Sequence, residues 1–236
     1  MSNISEVILD LTTAIEIRKA IPPVLDRLGF IPDVDLSAFT QATPEALTFL
    51  ANQGYPPFVY IGLKYLSNEN AQVLAGWAVF IVFTNLGKLE IEAARILVSG
   101  QSQLAFECQM DVDANLACEL ASLNNLLNLR LERLSVKVAT ELAKHSHELY
   151  LNLISPPSEL VMLALCEHTG YRLSVTWERR AGESPYKVPP QKNNKKVFVI
   201  PQFVNETGAW FENVYIGDSD FYPDSQVTAD GINTLL

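Results

Sequence analysis

Residues 57–110 read PFVYIGLKYLSNENAQVLAGWAVFIVFTNLGKLEIEAARILVSGQSQLAFECQM. Phe58 to Leu66 is rich in aromatic and branched side chains, the composition of a strand. Ser67-Asn68-Glu69-Asn70 is a turn cluster. Val73 to Thr84 follows with almost no polar break, as a central strand covered on both faces would. Asn85-Leu86-Gly87-Lys88 reads as the next turn. Leu89 to Ala93 alternates like a half-buried strand, while Ala93 to Val98 suits a helix equally well. Ser99 to Ser102 turns the chain again, and Leu104, Phe106, Cys108 and Met110 then alternate with Ala105, Glu107 and Gln109 at period two. An antiparallel meander of three or four strands is the simplest outcome. The apolar run around Trp77, about eleven residues, is too short to cross a bilayer as a helix.

Outside this stretch, Ile4, Ile8, Leu11 and Ile15 recur at helical spacing, with Ser5 placed to cap the helix and Pro22-Pro23 to end it. Thr43-Pro44-Glu45 has the form of a helix start, cap then proline then acid. Asp111 or Asp113 can cap a helix through Leu116, Leu120, Leu123 and Leu127. Leu129 to Val138 fits strand or helix. Leu149 to Ile154 reads as a strand, and Ser158 opens a helix running to Thr169. Tyr171 to Glu178 is a strand with Arg172, Ser174 and Thr176 on one face and Leu173, Val175 and Trp177 on the other. Val197 to Ile200 is one more. No internal repeat stands out. The expected fold is α+β: a central, mostly antiparallel sheet packed by helices, with an extended irregular C-terminal tail. Residues 1–178 form the core, subdivided near 111. Residues 179–196 are a basic, proline-containing linker, and 197–236 are a strand plus an acidic, aromatic tail.

Hydrophobic residues make up 48% of the 236, ample for a packed core, whereas charged residues are only 19%. That shortage suggests surface buried against a protein partner. The net charge of −10 argues against nucleic acid as the main partner. Three cysteines, Cys108, Cys118 and Cys166, are an odd count without paired spacing. They read as reduced residues of a cytoplasmic environment. The opening MSNISEVILDL has no basic segment leading into an apolar one, so no secretory leader is expected, and no membrane partner.

Four clusters could carry chemistry. Glu141, His145, His147 and Glu148 are the best metal-like group, but HExxH is absent and a polar surface patch is the plainer account. Cys166 and His168 could pair thiol with imidazole, yet nearby positions on a helix point apart. A buried Cys166 and a His168 at the helix end fit better. Asp218, Asp220 and Asp224 resemble a calcium loop, but Pro223 and Ala229 stand where glycine and glutamate are needed. Arg179, Arg180, Lys187, Lys192, Lys195 and Lys196 form a cationic stretch able to touch phosphates, or to meet the acidic residues that follow. Trp210, Phe211, Tyr215, Phe221 and Tyr222 in the tail need something to pack on, in this subunit or a neighbour. GxxxxGK[ST], GxGxxG and GxSxG are all absent. No catalytic residue, metal or cofactor is indicated.

The order helix, loop and strand hairpin over residues 4 to 110, carried by Ile4–Leu28, PPFVYIGLKYL and AGWAVFIVFTN, resembles the layout of phage tail-completion proteins, the terminator and neck group. The resemblance implies ring assemblies in which sheets and extended tails contact neighbours. The expected function is therefore a non-enzymatic assembly subunit of a multi-protein complex, binding copies of itself or other subunits, cytoplasmic or in a virion. The alternatives are an adaptor in a nucleic-acid-guided complex, or a metal-dependent enzyme using residues 141–148.

Overall fold

The computed structural model describes residues 7–20, 33–52, 57–170, 172–179, 196–202 and 210–217. The chain divides into two compact units, residues 1–111 with 123–128, and residues 112–122 with 129–236.

The build is clearest from the helix starts. Thr43, Ser67, Glu90, Asp113, Ser135 and Ser158 each stand at the N-cap of a helix of seven or eight residues, 22 to 24 residues apart. All but Glu90 accept a backbone N–H from three residues on, satisfying one of the orphan donors of the first turn. Seven residues after every cap stands a buried leucine: Leu50, Leu74, Leu97, Leu120, Leu142 and Leu165. Four residues after the cap the side chain is buried and mostly small, as Ala71, Ala94, Ala117 and Ala139 are, which lets neighbouring helices approach.

In the first unit the elements are β1 (Ile8–Leu9), α1 (Leu11–Ala20), β2 (Val34–Leu36), β3 (Gln41–Ala42), α2 (Pro44–Ala51), β4 (Phe58–Ile61), α3 (Asn68–Ala75), β5 (Phe80–Phe83), α4 (Ile91–Val98) and β6 (Gln103–Phe106). Strands β2, β4, β5 and β6 lie side by side in chain order and all run parallel. The partners Val34, Val59, Ile81 and Leu104 are 22 to 25 residues apart in sequence. Consecutive helices pack on one another, α1 on α2, α2 on α3 and α3 on α4. Parallel strands need such crossover helices. Each repeat buries its apolar side by stacking on the next. Ile61, Phe83 and Phe106 are at most 1% exposed, and the Phe83 and Phe106 rings stack with centroids 5.0 Å apart.

The second unit continues with α5 (Ala114–Ala121), α6 (Val136–Leu142), β8 (Glu148–Leu153), α7 (Glu159–Leu165) and β9 (Arg172–Arg179). The strand β7 (Leu127–Leu131) contains the division between units. Strands β8 and β9 pair in parallel, Leu149 opposite Leu173. The series ends differently: β10 (Lys196–Gln202) and β11 (Trp210–Gly217) form an antiparallel pair, and β11 joins β9 antiparallel.

These strands overturn the expected antiparallel meander; the architecture is α/β. The turn cluster at Ser67 is a helix cap. The apolar run from Val73 to Thr84 is the end of α3, a loop, and a parallel strand. Leu89 to Ala93 alternates only because the capping residue Glu90 and the helix residue Glu92 flank Ile91. The hairpin that carried the terminator-like layout is absent, since Phe58–Ile61 and Phe80–Phe83 run parallel. The tail expected to be irregular past Asn205 contains β11, which holds Trp210, Phe211 and Tyr215. Ser5, Pro22 and Pro23 lie outside the described residues. Among the described residues no helix is long and apolar enough to cross a membrane.

Candidate functional site: an aromatic hollow on the open face of the sheet

Side chains alternate across a strand, so each strand gives one set of residues to the helix-covered core and the other to the open face. In the first unit the parallel register aligns the open-face residues in rows. Phe58 stands opposite Phe80 and Phe80 opposite Gln103; in the next row Asp35 is exposed and Tyr60 half-buried, while Val82 and Ala105 are buried. Phe58 is 38% exposed, and its ring lies 5.0 Å from that of Phe80, tilted by 40°. Beside them opens a hollow of about 430 Å³, lined by Pro57, Phe58, Ala78, Val79, Phe80, Gln101, Gln103 and Asn125.

Asn125 is built in. Its Nδ2 donates to the Gln101 carbonyl at 3.0 Å and its Oδ1 accepts the Leu126 N–H at 2.9 Å. Below the rim, Ser102 is fully buried, with its hydroxyl on the carbonyls of Leu74 and Trp77. Side chain to backbone bonds thus tie successive repeats together beside the hollow. No lining side chain is ionisable. Asp35 and Glu107 stand exposed on the same unit's strands and strand ends, and β2, β4, β5 and β6 contain no Lys or Arg. Asp35 accepts from Ser37 at 2.8 Å, and these hydrogen bonds hold its carboxyl below the usual range.

The open face of the second unit is polar. Tyr150 donates to Glu148 at 3.0 Å, and the Arg172 guanidinium lies 5.3 Å above the Tyr150 ring, a cation–π arrangement.

The residues of the histidine cluster have separate partners. His145 and His168 both stand ten residues after their caps and are buried at 0% and 1% exposure. His145 Nδ1 donates to the Ala121 carbonyl at 3.1 Å and His168 Nδ1 to the Ala143 carbonyl at 3.3 Å. Each ring thereby bonds the backbone one repeat earlier. His145 therefore belongs to the core, and the polar surface patch expected there does not include it. His147 contacts Ser146 Oγ at 2.9 Å. Glu141 pairs with Lys144 at 2.6 Å, a bond that lowers the Glu141 pKa and raises that of Lys144. No three metal-capable side chains converge among the described residues. Cys166 follows α7 and is buried, and His168 lies beyond the helix end.

The cationic stretch is reached only at its ends. Arg179 closes β9 opposite Trp210, and Lys196 opens β10 opposite Gly217. Tyr215 lies opposite Phe198, and Phe211 opposite Gln202. Arg180, Lys187, Lys192 and Lys195 lie outside the described residues, as do Phe221, Tyr222, Asp218, Asp220 and Asp224. Phe58, Phe80 and Gln103 are the residues that sequence reasoning missed as a site. They can be found only by aligning the repeats, where they share the position just before the first core residue of each strand.

A strand plus a short helix thus recurs every 22 to 25 residues, the organisation of a stacked-repeat array. No family model, curated protein or solved structure matches the chain.

Proposed function

We propose that this chain is a non-enzymatic binding and assembly subunit whose first unit receives another polypeptide on the open face of its sheet. A phage tail or neck is one setting for such a subunit. The observation that carries the proposal is the Phe58–Phe80 pair, held at 5.0 Å beside an uncharged hollow. Rigid aromatic side chains at a concave site are typical anchors for a protein partner. Stacked repeats suit this role because their sheets offer an extended surface. The low share of charged residues, 19%, points the same way. The test is panning of a displayed random-peptide library against the purified protein and against a Phe58→Ser/Phe80→Ser variant. Enriched peptides that fail to bind the variant support the proposal. No enrichment, or enrichment equal on both proteins, overturns it.

A further inference from the structure

The last strand of a sheet presents a row of backbone N–H and C=O groups along its outer side, a template for another strand. In the first unit β2 stands at the end of its row. It has three residues, and the middle one is the exposed Asp35. A short strand with a charge at its centre is one way in which edges are kept from pairing. In the second unit the order is β10, β11, β9 and β8. Among the described residues β10 therefore pairs on one side only, with β11. It runs for seven residues, Lys196 to Gln202, with no charged residue after Lys196.

Pro201 sets which backbone groups of β10 face outward. Proline has no N–H, and on an edge strand its nitrogen stands on the side away from the ladder. Residues of an antiparallel strand alternate in the side to which they offer their backbone groups. Lys196, Phe198, Ile200 and Gln202 thus bond to β11, while Val197, Val199 and Pro201 turn their groups outward. This outward set is symmetric about Val199. A second β10, laid antiparallel about a two-fold axis at Val199, sets Lys196 opposite Gln202, Val197 opposite Pro201 and Phe198 opposite Ile200. The outward N–H groups of Val197 and Val199 then meet the carbonyls of Pro201 and Val199 in the other strand. Lys196 falls opposite a neutral residue, so no like charges face one another. Pairing β10 with β2 of another copy would engage only three residues and bring Asp35 into the new ladder. The symmetric pairing is the fuller match, and it closes as a dimer.

We propose that β10 is a self-association edge, along which two copies of this chain pair antiparallel about Val199. The edge belongs to the second unit, and its role is independent of the hollow. Light scattering on a sizing column, with the protein raised to about 100 μM, should give the mass of a dimer. Val199→Pro removes the outward donor at the axis and leaves the bonds to β11. It should weaken the dimer at least tenfold, with the circular dichroism unchanged. Gln202→Lys sets like charges opposite one another at both ends and should weaken the dimer about fivefold. Adding Lys196→Glu to Gln202→Lys should restore it. Within one chain these two positions lie opposite Gly217 and Phe211, so that rescue arises between copies. A monomer at this concentration overturns the proposal. So does an assembly that keeps growing with concentration, or a dimer unmoved by Gln202→Lys. Should Val199→Pro fail to fold, the charge exchange decides alone.

Discussion

Gly100 is a point where two repeats approach closely, and replacing it with alanine should loosen the first unit. A Cβ at Gly100 would lie 2.8 Å from Ala75 Cα and 2.9 Å from its carbonyl carbon, and nearer still to its oxygen. Carbon and oxygen prefer at least about 3.3 Å, so the two backbones would have to separate by about 1 Å. Both sides of the clash are backbone, so no side-chain rotation relieves it. Overpacking of this kind costs about 1–3 kcal/mol, with the upper end expected here. The entropy lost by the unfolded chain returns about 0.4–1 kcal/mol, leaving a net loss of about 2 kcal/mol. Gly76→Ala is the control. Gly76 sits at the end of α3 with φ −78°, a conformation open to alanine, and its nearest neighbour would be the Val73 oxygen at 3.3 Å. That substitution should be neutral or slightly stabilising. Urea unfolding of the three proteins measures the difference. Hydrogen exchange should show faster opening confined to the repeats around Gly100, because repeat arrays couple mainly through neighbours. Equal stability of Gly100→Ala and Gly76→Ala would refute the close approach.

Three further outcomes follow from the repeat geometry. Glu90 is the one N-cap of the six without a side-chain bond to its helix, so Glu90→Ser should stabilise by about 0.5–1 kcal/mol in urea unfolding. The exposed Lys88–Glu90 pair that is lost contributes little. His145→Ala leaves the Ala121 carbonyl without its imidazole donor and opens a cavity. A loss of about 2–4 kcal/mol should appear as faster amide exchange in α6, and unchanged exchange there would disprove the bond. For the cysteines, Cys118 is exposed, Cys108 intermediate and Cys166 buried, so iodoacetamide should label them in that order. Burial pushes the Cys108 thiol up, so its labelling should accelerate at higher pH than that of a free thiol. The same shift implies a stability contribution that is complete below the unfolded thiol pKa and lost as pH rises through the raised folded value. Labelling of Cys108 as fast as Cys118 at pH 8 would contradict this.

Single elements were legible in the chain where side-chain chemistry is local. Thr43 with Pro44, Asp113 and Ser158 mark helix starts by their own hydrogen bonds, and a cap needs nothing beyond its own turn. The strands at Leu149 and Leu173 show clean alternation because one face is core and the other polar. What failed was the step from elements to arrangement. Helices of seven or eight residues contain only two turns, too few for a 3.6-residue period to outweigh chance alternation. Apolar helix ends running into apolar strands erased the boundaries around Trp77.

The repeat itself escaped notice because it preserves residue class and seldom residue identity. Ser67, Glu90 and Asp113 share a role without sharing a side chain, and so do Ile61, Phe83 and Phe106. Only the leucine seven residues after each cap is constant, from Leu50 to Leu165, and it is buried in every repeat. Position ten shows the opposite freedom: it is Trp77, Gly100, Leu123, His145 and His168 in turn, and it meets the neighbouring turn by close backbone approach at Gly100 and by a hydrogen bond at the two histidines. The candidate site stands one step further from the sequence. Phe58 and Phe80 are 22 residues apart and touch only because the strands are parallel and in register. In an antiparallel hairpin the same two residues would fall at opposite ends of the sheet. The error in strand direction and the missed site therefore have one cause, the reading of Ser67 as a turn when its hydroxyl caps a helix.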